Sequence, residues 1–139
     1  MVSSARLRPA ASYHAVVGQV LAAMRQEKGV SQAEVAAAVG VTQSTWSRLE
    51  RGQQILGLGQ LRAASALLGT RPHSVLEQVE AAVAHCEAEG VEVTSEVLRQ
   101  RPTTTTRNTT KMDTATAGLI AVGIGALAVL VLAAMSEYE

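Results

Sequence analysis

The sequence predicts an all-α protein: a compact five-helix head, a flexible linker and a single C-terminal helix. Three observations carry that prediction. Apolar residues recur with helical spacing from His14 to Glu89. No segment alternates with period two for long enough to make a strand, and Val91-Glu92-Val93 is too short. A run of nineteen residues, Ala117 to Met135, holds no charge, amide or proline. At 139 residues the chain has room for one domain plus appendages, which excludes a large barrel or a two-domain enzyme. Its only aromatic residues are Tyr13, Trp46 and Tyr138, so the core has to be built from Ala, Val and Leu.

Residues 1–12 read as a flexible N-terminal arm and residues 13–89 as the folded head. In the first helix Val17, Leu21 and Met24 mark one face, and Gly29 follows its end after Lys28. Ser31 with Glu34 three residues on is a capping-box pattern that opens a short second helix, which Gly40 stops. Thr42 can cap a third helix running through Trp46 and Leu49 to Arg51, closed by Gly52. Leu61, Ala64 and Leu68 define a fourth before Gly69. The fifth starts near Pro72, a favoured first helical residue, with Val75, Leu76, Val79, Val83 and Cys86 on one face.

Residues 90–116 read as a Thr-rich linker, since residues 101–116 contain too few apolar side chains to bury. The uncharged run at 117–135, as one helix of roughly 28 Å, would match the hydrocarbon thickness of a bilayer. It therefore reads as a transmembrane helix, a tail anchor followed by residues 136–139. Arg99, Arg101, Arg107 and Lys111 precede it and no base follows, which places the head in the cytoplasm of a single-pass cell-membrane protein. The partners implied are a lipid bilayer and a second copy. Ala117, Ala121 and Gly125 form a small-xxx-small face for helix pairing, and the Val79/Val83/Cys86 stripe of helix five offers another homodimer surface.

The zero formal charge hides a segregation of signs. Residues 1–70 hold seven bases against three acids, and residues 71–100 hold two bases against six acids. An anionic partner is therefore to be sought at the N-terminal module. There, Val35, Val39, Val41, Trp46 and Leu49 lie where two short, steeply crossing helices would bury them. Ala36 is small at their crossing, and Gly40 supplies a turn needing positive φ. That leaves Gln43, Ser44, Ser47 and Arg48 outward on the third helix, with Thr45 at the edge. Gln can pair with adenine, Arg with guanine and Ser with either.

Two stretches, Arg25-Gln-Glu-Lys-Gly-Val-Ser-Gln-Ala-Glu-Val-Ala36 and Gly40-Val-Thr-Gln-Ser-Thr-Trp-Ser-Arg-Leu-Glu-Arg-Gly52, followed by Leu61 to Gly69, resemble the phage-repressor type (Cro/C1, XRE-like) of helix-turn-helix domain. The resemblance covers about residues 14–78. It implies a lambda-repressor-like five-helix domain whose third helix enters the major groove of double-stranded DNA, commonly as a dimer on a pseudopalindrome. By position, it makes Gln43, Ser44 and Arg48 the base readers. Gln32, Thr45, Ser47, Arg51 and Gln53 are placed against phosphates. Arg25 and Glu50 correspond to a structural ion pair between the first and third helices. The sequence departs from the family at Trp46, where an aliphatic residue is usual, and at Ser65, where alanine is.

The same resemblance makes Trp46 a core residue. His14, His73 and His85 are scattered, and Cys86 is a small apolar residue with no disulfide partner in the chain. The acidic run from Glu77 to Glu96 reads as a solvated face. No phosphate loop, paired carboxylates or supported nucleophile is present, so no enzyme, cofactor or metal site is expected. The function expected is a membrane-anchored, sequence-specific DNA-binding transcriptional regulator. A membrane-bound adaptor using the helix-turn-helix for protein contacts stands as the alternative.

Overall fold

The computed structural model describes residues 8–96, 119–121 and 123–136. Residues 1–7 of the expected arm, 97–116 of the expected linker, Ala117 and the tail at 137–139 lie outside the described residues. The elements run β1 (Arg8–Ser12), α1 (Tyr13–Glu27), α2 (Gln32–Val39), α3 (Gln43–Glu50), α4 (Leu58–Leu67), α5 (Pro72–Ala88), β2 (Glu92–Thr94), β3 (Leu119–Ala121) and α6 (Ile124–Ser136).

Local chemistry sets most helix ends. The Ser12 hydroxyl accepts the Ala15 N–H and starts α1. At α2 the capping box closes both ways: the Ser31 hydroxyl accepts from Glu34 N, and the Glu34 carboxylate accepts from Ser31 N. The Ser31 N–H, and after it the Ser31 side chain, hold the Glu34 carboxyl below its ordinary pKa. Gly40, at φ 84°, ends α2 in the left-handed region and donates its N–H to the Ala36 carbonyl. Thr42 caps α3 through the Thr45 N–H.

The helices pack around α1, which touches α3, α5 and α6, while α2 lies across α3 and α4. The core is aliphatic: Val16, Val20, Leu21, Val35, Leu61, Val75 and Val79 are buried around the single Trp46. Both departures from the family pattern are satisfied internally. The Ser65 hydroxyl donates to the carbonyl of Leu61 at 2.7 Å, and the Trp46 indole donates to Glu50 at 2.7 Å.

Three expectations are corrected. The all-α prediction missed a small parallel sheet of order β2-β1-β3. Ala10–Ser12 of the supposed arm pair with Glu92–Thr94 of the supposed linker, and Arg8–Ala10 pair with Leu119–Ala121. Only Ala10 has strand neighbours on both sides, so Pro9, lacking an N–H, faces a ladder on one side alone. Pairings over such sequence distances leave no periodic trace in three-residue strands.

The second correction concerns the C-terminal run. It is not one helix from Ala117 to Met135: Leu119–Ala121 form β3, and α6 starts only at Ile124. Thirteen residues rise about 20 Å, and among the described residues no helix is long and apolar enough to cross a membrane. Instead α6 lies on α1 and α5 with Leu127, Val131 and Ala134 buried. An uncharged run reports only that burial is favourable. Here part of that burial is against protein. The Ala117/Ala121/Gly125 face does not form as one helical stripe, because Ala121 is in β3 and Gly125 is in α6.

Third, the Val79/Val83/Cys86 stripe of α5 is turned into the protomer. Val79 and Cys86 are wholly buried and Val83 is half-buried. Burial, with Glu87 adding a smaller effect, pushes the Cys86 thiol pKa up.

Candidate nucleic-acid interface

The site is built on α2, the turn at Gly40 and α3. On eight-residue α3 the side chains divide cleanly: Trp46, Leu49 and Glu50 are buried, whereas Gln43, Ser44 and Arg48 are exposed. Ser47 and Thr45 are half-buried at the margins. Arg51 and Gln53 are exposed just past the helix end. The structure thus gathers seven of the eight residues predicted to meet DNA on or beside one helix, about 12 Å long, a length that fits a major groove about 12 Å wide.

Gln32 is the eighth, and its side chain is occupied internally. Its amide donates to Glu50 Oε2 at 2.8 Å, tying the first residue of α2 to the last of α3. The Glu50 carboxylate is the centre of this joint. Arg25 Nε donates to Oε1 at 2.7 Å and Arg25 Nη2 to Oε2 at 3.3 Å, while Trp46 Nε1 also donates to Oε1. The remaining Arg25 nitrogen, Nη1, donates to the Val30 carbonyl. Glu50 is only 4% exposed, so its charge is compensated by a guanidinium fork and two further donors.

The approach of α1 to α3 depends on Gly18 and Gln19. A Cβ at Gly18 would overlap the carbonyl oxygens of Leu49 and Glu50. Next to it, Gln19 Nε2 donates to the same Glu50 carbonyl at 2.9 Å. Gly52, at φ 72°, turns the chain away directly over Ala15, where any side chain would collide with the α1 backbone. Sequence reasoning did not pick out Gly18 or Gln19 as positioning residues. The Arg25–Glu50 pair of the hub was expected from the resemblance, whereas Gln19 stands 31 residues from its partner and carried no signal.

The joint has an electrostatic consequence. Of the three charges in residues 43–53, the acid is inside and paired, and the two bases, Arg48 and Arg51, are outside. The exposed face of α3 therefore carries cations and neutral hydrogen-bonding groups with no carboxylate among them. Arg48 Nη2 rests on the Ser44 hydroxyl at 3.2 Å, and Arg51 Nε on the Ser47 carbonyl at 3.2 Å. Both contacts are at the surface and can be exchanged for a ligand. Glu34 is the exposed acid of α2, and its carboxylate is held by the capping box. Beyond α3, Ile55 and Leu58 stand 65% and 83% exposed on the way into α4.

Comparison with known proteins agrees with this geometry. A family described as a helix-turn-helix domain matches residues 16–78. Among solved structures, the clp gene regulator ClgR from Corynebacterium glutamicum is similar at 28% identity and a TM-score of 0.54. That alignment covers 55% of this chain and 82% of the ClgR chain. A second crystal structure of ClgR aligns at 28% identity with a TM-score of 0.48, covering 50% of this chain and 91% of that one. Comparison with curated proteins gives no match. The matched stretch contains α2, the turn and α3, together with the helices that hold them: residues 16–78 are similar in sequence to helix-turn-helix domains.

Proposed function

We propose that the protein is a DNA-binding transcriptional regulator of the phage-repressor type that reads the major groove with α3. The observation that carries this reading is the division of α3, whose outward face offers Gln43, Ser44 and Arg48 to a ligand while Glu50 is withdrawn and neutralised. A face of this composition can hydrogen-bond base edges and does not repel phosphate. The similarity to a gene regulator supports the same reading.

In this reading Gln43, Ser44 and Arg48 discriminate bases. Thr45, Ser47, Arg51 and Gln53 hold the flanking phosphates in register. Gln32 would meet a phosphate with the second N–H of an amide whose first is spent on Glu50, so that backbone contact and helix orientation are linked through one side chain.

The test selects duplexes from a random pool with the full chain and compares the enriched sequence with scrambled DNA. Arg48→Ala should weaken binding to the enriched sequence by about 1–3 kcal/mol and relax preference at one base pair, with little change on scrambled DNA. Arg51→Ala should instead weaken both duplexes alike and flatten the salt dependence by about one charge. Equal losses on both DNAs for Arg48→Ala would reject the base-reading role, and a pool without enrichment would reject the function.

A further inference from the structure

We propose that Gln19 is a positioning residue for base recognition: from α1 it anchors the last residue of α3 and so sets where Gln43 and Ser44 lie against the bases. The proposal rests on the DNA-binding reading and adds a specificity determinant that touches no DNA. Gln19 is only 8% exposed, and its amide donates to the Glu50 carbonyl at 2.9 Å.

The last carbonyls of a helix have no partner within it and must find one outside. For α3 the chain that follows supplies three of four: Ser47 accepts from Arg51 N, Arg48 from Gln53 N and Leu49 from Gly52 N. The Glu50 carbonyl accepts from no backbone N–H among the described residues, and Gln19 is its donor. Gly18, without a Cβ, lets the two helices come close enough for that bond.

Gln19 and Arg25 lie six residues apart on α1, about 9 Å along its axis. They hold the same residue of α3, one at its main-chain carbonyl and the other at its carboxylate. A helix held at one of these points can swivel about it. Held at both from one partner helix, it cannot. The turn after α3, between Arg51 and Gln53, is seated separately on α1 where Gly52 meets Ala15. Loss of the Gln19 bond therefore frees α3 to tilt relative to the turn that holds phosphates. Gln43 is seven residues from Glu50 and Arg48 is two, about 10 Å and 3 Å along the helix. A tilt of about 10° then carries Gln43 by roughly 2 Å and Arg48 by roughly 0.5 Å. Recognition geometry holds within about 0.5 Å, so Gln43 and Ser44 lose their base pairs while Arg48 keeps its own.

Gln19→Met keeps the length of the side chain and removes the donor. In the full chain it should bind scrambled DNA as the parent does. Its preference for the enriched duplex over single-base variants should fall about fivefold or more at the pairs that Gln43→Ala and Ser44→Ala identify, and less at the pair of Arg48. A residue that merely held the fold together would weaken every duplex by one factor. Gln19→Glu, near in shape to the parent, covers the case in which Gln19→Met does not fold. Burial raises a carboxyl pKa at this position, and the neutral acid donates through its O–H where the carboxylate cannot. At about pH 5 this variant should keep the parent's preferences, and at about pH 8 it should lose those at the Gln43 and Ser44 pairs, each against the parent at the same pH.

Amide exchange in the free protein reads the anchor without DNA. The Gly52 and Gln53 N–H groups, bonded to late carbonyls of α3, should exchange about tenfold faster in Gln19→Met, with Val79 of α5 unchanged. Equal exchange rates, a uniform loss on all duplexes, or a Gln19→Glu indifferent to pH would overturn the proposal. A parent that enriches no sequence would sink the DNA-binding reading, whereas an enriching parent with unmoved preferences in Gln19→Met would sink this proposal alone.

Discussion

Two groups of helices rest on α1, and they are joined to it by different forces. Toward α3 the joint is polar: Arg25, Gln32 and Trp46 converge on the Glu50 carboxylate, and Gln19 takes its carbonyl. Toward α5 and α6 the joint is aliphatic, with Val75, Val79, Ala82, Leu127, Val131 and Ala134 buried. A hydrogen-bonded joint is directional and fixes the angle of α3 against α2. An apolar joint supplies free energy in proportion to area and fixes little else. α3, with Gln43, Ser44 and Arg48 exposed on it, is held by the first kind. The helix that only covers a surface is held by the second.

This contrast predicts opposite tolerance to conservative change. Glu50→Gln keeps the shape but leaves Arg25 without a counter-charge. It should destabilise the fold by about 3–5 kcal/mol in urea titration. Leu127→Ala should cost about 3 kcal/mol, whereas Leu127→Met at the same place should cost less than about 1.5 kcal/mol. If Leu127→Met proved as damaging as Glu50→Gln, the distinction between the two joints would be wrong.

Trp46→Phe sharpens the comparison within the polar joint. It keeps an aromatic ring in the core and removes one charge-assisted donor from Glu50. A loss of about 1.5–3 kcal/mol is expected, together with a poorly fixed α3 and weaker selection among DNA sequences.

The smallest effect concerns pH. The Tyr13 hydroxyl donates to Glu80 at 2.8 Å, and its pKa is pushed up to about 12, chiefly by burial and then by that carboxylate. Between pH 10.0, the ordinary value, and about 12 the unfolded chain gives up a proton that the folded chain keeps. Stability contributed by this group is therefore complete below pH 10.0 and falls as the pH rises. Tyr13→Phe should make the decline in urea midpoint shallower over that range, and a slope equal to the parent's would remove Tyr13 from the account.

Legibility in the sequence followed the range of the interactions. The capping box at Ser31 and Glu34, the Gly40 turn, the Thr42 cap and the outward position of Gln43, Ser44 and Arg48 all act within one or two turns of chain. Periodicity and capping chemistry were enough to place them. The partnership of Gln32 with Glu50 was not, since an exposed-looking glutamine at a helix start carries no mark of a partner 18 residues on. β1, β2 and β3 were missed for the same reason: each is short, and its pairing partner is remote.

The C-terminal run shows the limit most plainly. Composition determined that the uncharged run at 117–135 would seek cover from water, but not that its helix would begin only at Ile124. What covered it was a matter for the tertiary structure, in which α6 packs on α1 and α5. Hydrophobic transfer is non-directional, so a sequence can state how strongly a segment seeks cover but not what covers it. Hydrogen bonds and close backbone contacts have direction, and the nearest of them can be read along the chain. Only the folded coordinates bring together those whose partners are far apart.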